Sequence, residues 1–115
     1  MSLKNLAKRY FNFFSNKDIH NLSKMFAPKI ILRDWQIYAI GKFNVIKANK
    51  KIFKTFKSIK VKLTKLHVIN YSKTIFAEIE ICVNGSKKKF LVLDILKFNN
   101  KNKISNIKAY LGSKS

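Results

Sequence analysis

Acid is the scarcest chemistry in this sequence: five Asp and Glu stand against twenty-five Lys and Arg, a formal net charge of +20 over 115 residues. Each acid therefore has to be accounted for one by one. Proline occurs once, glycine three times and cysteine once, which excludes collagen-like and low-complexity chains. Cys82 has no second cysteine to bridge to, so it reads as a small apolar strand residue. Apolar runs are broken by Lys or Asn within about ten residues, well short of the ~20 needed to cross a bilayer, so no membrane span is expected. The opening MSLKNLAKRYF lacks the apolar centre and small-residue cleavage site of a secretory signal, and a cytoplasmic protein is the expectation. There is no Gly-rich phosphate loop, no HExxH, no cysteine pair and no G-x-S-x-G. His20 and His67 lack ligating neighbours in sequence, so neither a metal nor a cofactor is expected.

The positive charge would suit a phosphate backbone, because neutralisation by Lys and Arg drives non-specific nucleic-acid binding. The kind of cation points elsewhere. Only Arg9 and Arg33 are arginine, and the other over-used residues, Asn and Ile, share A- and T-rich codons with Lys. Base reading and buried phosphate clamps favour the forked guanidinium, and the lysines are spread along the whole chain. Specific nucleic-acid binding is not expected, and a basic nucleic-acid binder ranks third among the functions considered. The run Lys87-Lys88-Lys89 reads as a solvated turn.

What the sequence does have is core. Fifteen aromatic residues and fifteen isoleucines are enough to bury one domain, residues 1–115. In LKNLAKRYFNFF, residues 3–14, Leu3, Leu6, Ala7, Tyr10, Phe13 and Phe14 recur at three- and four-residue spacing, which predicts a helix with Tyr10 on its inward side. Asp18 is placed to cap a second helix, IHNLSKMF, ended by Pro28. IILRDW, residues 30–35, alternates as a strand with Ile30, Leu32 and Asp34 on one face. After a loop through Gly41, FNVIKANKKIFKTF predicts a third helix with Val45, Ile46, Asn49, Ile52, Phe53 and Phe56 inward. From Ser58 onward IKVKLTKLHVI, TIFAEIEICV, FLVLDILKF and ISNIKAYLG read as strands separated by turn residues, with a frayed tail after them. Three helices followed by a meander of about four antiparallel strands make an α+β pattern.

Two acids fall inside this apolar pattern. Asp34 ends the inward stripe of its strand, and Asp94 sits in the middle of FLVLDILKF, where an unpaired charge is costly to desolvate. That strand is apolar on both faces, so alternation does not say which face carries the acid. Glu78 and Glu80 share the strand face opposite Ala77, Ile79 and Ile81 and are expected to pair with neighbouring lysines.

The order RYFNFFSNKDIHNLSKMFAPKIILRDW, a glycine and a helix, then EIEICVNGSKKKFLVLDILKFNNKNKISNIKAYLG resembles the nuclear transport factor 2-like superfamily, and within it the SnoaL-like and Δ5-3-ketosteroid isomerase-like branch. The resemblance spans nearly the whole chain. It implies a cone-shaped α+β barrel, three N-terminal helices packed in a strongly bent, mainly antiparallel sheet, with a pocket in the open end. In ketosteroid isomerases a tyrosine on the first helix and a protonated aspartate on a core strand hold the enolate oxygen while a second aspartate moves the proton. Tyr10 and Asp94 match the two donors and Asp34 matches the base. Trp35 stands where a proline commonly follows that base, and Asn49 where a further pocket tyrosine is expected. Trp35, Asn49, Ile79, Ile81, Ile107 and Leu111 would line the ligand site. The implied function is a proton shift next to a carbonyl in a small apolar ligand, with the Tyr10 hydroxyl within hydrogen-bond reach of Asp94 or of a shared ligand or water. The alternative is a non-catalytic ligand-binding or dimerisation module on the same fold. A homodimer is expected through the outer sheet face, where Leu91, Leu93, Ile95 and Tyr110 form an apolar patch.

Overall fold

In the computed structural model, which describes residues 1–114, the chain begins with helix α1 (Leu3–Ser15). The Ser2 hydroxyl accepts from the Asn5 N–H at 3.1 Å and so closes its first turn. Ala7, Tyr10 and Phe11 are the buried positions of α1. Phe11 lay off the expected stripe, while Phe13 and Phe14 are only partly buried. Asp18 caps α2 (Ile19–Lys24), accepting from the backbone and side-chain nitrogens of Asn21.

The second helix is shorter than expected. Strand β1 (Phe26–Arg33) starts before Pro28, so the proline lies inside a strand. It is tolerated there because the register of β1 slips between Phe26 and Ile31, where a missing N–H breaks no ladder bond. A three-residue strand, β2 (Tyr38–Ile40), folds back antiparallel onto β1 where only a loop was expected. Helix α3 (Lys42–Thr55) follows from Gly41, whose φ of 88° suits a residue without a side chain.

The meander is as read: β3 (Ile59–Ile69), β4 (Thr74–Val83), β5 (Phe90–Phe98) and β6 (Ile104–Lys114). Positive φ at Asn84 and Gly85 makes the tight reversal between β4 and β5. The tail expected to fray is strand up to Lys114; Ser115 lies outside the described residues.

The sheet runs β2-β1-β6-β5-β4-β3 and does not close. Only the β1–β6 pair is parallel; the other neighbours are antiparallel. The helices pack on one face of this bent sheet, and the fold is the α+β arrangement expected. Leu22, Ile30, Ile75, Leu96, Ile104 and Ile107 are almost wholly buried between the layers. The loop between α1 and α2 is tied to α3 by Lys17, whose ammonium donates to the carbonyls of Phe53, Phe56 and Lys57. Phe53 in the last turn and Phe56 at the cap are among the carbonyl groups that the end of a helix leaves without partners, and Lys57 follows directly after them. No helix among the described residues is long and apolar enough to cross a membrane.

Candidate active site

Between α1, α3 and the concave face of the sheet lies a cavity of about 410 Å³. Its walls are Ile, Val, Leu and Phe side chains from nearly every element. All nine residues singled out from the sequence line it: Tyr10, Asp34, Trp35, Asn49, Ile79, Ile81, Asp94, Ile107 and Leu111. The structure adds Phe11, Phe14, Gln36, Ile37 and Phe56 among others. Phe56 belonged to the inward stripe of α3, whereas Gln36 and Ile37 lie in the turn between β1 and β2 and had no periodic signal to reveal them.

Asp94 reaches the cavity because of strand register. Val92 and Leu96, its neighbours on the same face of β5, are buried. Across the strands it faces Ala77 of β4 and Ala109 of β6, two small residues that leave room for a carboxyl group. Only 8% of Asp94 is exposed. Burial, and secondarily the negative charge of Asp34, push its pKa up to about 7 from 3.8. At neutral pH a large share of Asp94 is therefore protonated and able to donate a hydrogen bond.

Tyr10 enters from α1 and is 5% exposed. Burial, then Asp94, then Asp34 raise its pKa above the ordinary phenol value, so the hydroxyl stays protonated. Of the two arrangements expected, a direct bond or a shared ligand or water, the direct hydrogen bond between Tyr10 and Asp94 is not formed. Neither the hydroxyl nor the carboxyl has a hydrogen-bond partner among the described residues, and no fully enclosed side-chain nitrogen or oxygen among them is left unsatisfied. The two polar groups thus open onto the cavity.

Asp34 sits in the turn that follows β1, and its carboxylate shapes that turn. Oδ1 accepts from the N–H groups of Gln36 at 2.7 Å and Ile37 at 2.6 Å. Both bonds use one oxygen, and Oδ2 has no partner among the described residues. Asn49 on α3 is 3% exposed, and its amide donates to the Val45 carbonyl one turn earlier at 3.1 Å. Trp35, 46% exposed, stands at the rim.

The arrangement offers two O–H donors and one half-occupied carboxylate at the wall of an apolar chamber. A carbonyl oxygen could accept from both donors, and negative charge growing on it would be stabilised. Among the described residues no group of three or more His, Cys, Asp or Glu could hold a metal ion. His67 instead meets Glu78 at 3.2 Å, and Glu80 meets Lys89 at 3.4 Å, both on the outer side of the sheet.

The sequence profile of the SnoaL-like domain matches residues 3–92. No curated protein matches the sequence. Among solved structures, an NTF2-like protein of unknown function from Cytophaga hutchinsonii superposes with a TM-score of 0.80 at 11% identity, over 97% of this chain and 91% of its own. A candidate ketosteroid isomerase from Kribbella flavida gives 0.82 at 11% identity, over 96% and 78% of the two chains. A candidate polyketide cyclase from Sinorhizobium meliloti gives 0.80 at 13% identity, over 91% and 93%. At these identities the likeness is one of fold.

Proposed function

The chain belongs to the SnoaL-like domain family, and from that premise we propose that its cavity binds a small, largely apolar carbonyl compound and moves a proton beside the carbonyl group. Tyr10 and Asp94 donate to the carbonyl oxygen. Asp34 takes the α-proton on its free Oδ2; the C–H electron pair passes into the enolate, and the same proton returns to a different carbon, giving the isomer. The two donors matter most as charge builds on the oxygen, which is when a fixed O–H in a water-poor site is worth most. The observation that carries this reading is the pair of almost fully buried O–H groups, without partners among the described residues, facing one apolar cavity with Asp34.

The test is deuterium exchange into cyclic enones and β,γ-unsaturated ketones, on the wild type and on Asp34→Asn. The amide keeps the shape and the turn-closing oxygen but loses basicity, so turnover should vanish while binding persists. A compound that binds yet exchanges no faster with wild type than with Asp34→Asn would refute the catalytic role.

A second reading, a binding module without catalysis, is favoured by one observation. Oδ1 of Asp34 is already engaged by two backbone N–H groups, as a residue kept for turn structure would be. The same exchange measurement separates the two.

A further inference from the structure

The chain carries five acids and twenty-five cations, yet among the described residues the cavity lining contains two of the acids and none of the cations. Lysine is ordinarily absent from an interior. A buried carboxyl with no counter-charge is not ordinary. The other three acids are accounted for: Asp18 caps α2, Glu78 meets His67, and Glu80 meets Lys89. Asp94 has no partner among the described residues, and Asp34 has one oxygen uncommitted. Among the described residues, the groups around them carry no positive charge. Of the titratable residues, α1 contributes Tyr10, the turn after β1 contributes Asp34 and β5 contributes Asp94; α3 offers the neutral Asn49, and β3, β4 and β6 offer only apolar side chains. Tyr10, Phe11 and Phe14 also line the cavity, with the Tyr10 ring 5.1 Å from Phe11 and 6.3 Å from Phe14. Aromatic faces attract cations.

Resting on the reading of this cavity as a ligand pocket, we propose that it selects an apolar amine over the matching neutral molecule, with the ammonium group held against the carboxylates of Asp94 and Asp34. The ligand supplies the counter-charge that the protein withholds. An ammonium beside both acids also removes the mutual repulsion that helps to keep Asp94 protonated. Below neutrality the binding step is then an exchange: the incoming ammonium keeps its three protons, the O–H bond of Asp94 breaks, its electron pair stays on the carboxylate, and that proton leaves to the buffer.

The experiment is calorimetry on the intact chain with phenylbutylamine, phenylbutanol and the matching phenylalkyl methyl ketone, in two buffers of different ionisation enthalpy. The amine should bind about ten-fold more tightly than the alcohol, the size of one charge-assisted contact. At about pH 6 amine binding should release up to one proton, and at about pH 9, where Asp94 is already ionised, none. Asp94→Asn should weaken the preference of amine over alcohol, leaving only Asp34 to meet the ammonium, and should abolish the proton release. Should that variant not fold, the wild-type preference and proton release still decide the matter. An alcohol that binds as tightly as the amine, or proton release that persists in Asp94→Asn, would overturn the proposal. Ketone binding and proton exchange without amine preference would sink this proposal alone, whereas failure of all three compounds to bind would sink the pocket reading with it.

Discussion

Burying Asp94 should leave a mark on the stability of the whole protein. Its pKa is near 7 in the folded chain against an ordinary value of 3.8. Between those values the folded state holds a proton that the unfolded state has released. Stability is therefore fully present below about pH 4, is lost as pH rises through the window, and levels off above about 7. At about 1.4 kcal/mol per unit the whole window is worth about 4 kcal/mol, a large part of the 5–15 kcal/mol typical of a domain. Asp94→Asn has no such proton to lose. Urea denaturation of both proteins at about pH 5 and pH 8.5 should show the variant gaining about 3 kcal/mol relative to wild type at the higher pH. Contributions of groups common to both proteins largely cancel in that difference. In Asp34→Asn, where the second cause of the shift is gone, the same window should move to lower pH. Parallel pH dependence in wild type and Asp94→Asn would refute the claim that Asp94 is buried in its neutral form.

Three other outcomes are expected. Exchange activity should fall as pH rises through about 7, where Asp94 stops being a donor, and Tyr10→Phe should lower it by about a hundred-fold, the effect of removing one oxyanion donor; initial rates of deuterium incorporation check both. Lys17→Met should cost about 1–3 kcal/mol in urea denaturation, because three carbonyl groups at the end of α3 lose their shared donor. On the outer sheet face Leu91 is 40% and Tyr110 56% exposed beside Leu93 and Ile95; we expect a two-fold dimer there, with light scattering giving a dimer mass for wild type and a monomer mass for Leu93→Lys.

The parts of this fold that were legible in the sequence are those with many repeats of a period. Helices α1 and α3 and the alternating strand β4 show several turns or alternations each, so their faces could be assigned, and with them Tyr10, Asn49, Ile79 and Ile81. Shorter features were not legible. Strand β2 is three residues long, too few for an alternation to register, and its pairing with β1 is fixed by the Asp34 turn instead. Pro28 looked like a helix stop because the slip of register that admits it to β1 is a property of the pairing with β6, not of either strand alone. The side of β5 that carries Asp94 was likewise undetermined by its own residues. Cross-strand partners settle it, since Ala77 and Ala109 flank the acid. The second duty of Asp34, closing a turn with Oδ1, depends on backbone positions two and three residues further on that no pattern of side chains reveals.

Strand β6 comes last in the chain yet lies in the middle of the sheet, with β1 on one side and β5 on the other. During synthesis on the ribosome, β1 and β2 with the helices, and the β3–β5 meander, therefore emerge before the strand that joins them within the sheet, and outside the sheet they meet through α1, whose Ser15 hydroxyl accepts from the Val61 N–H of β3. Contacts such as Leu32 with Ile107 join positions about 75 residues apart, and closing so long a loop defers that step. Ile107, Ala109 and Leu111 of β6 line the chamber, and Ala109 faces Asp94, so a nascent chain stalled before residue 104 would lack one wall of the pocket and should hold no ligand.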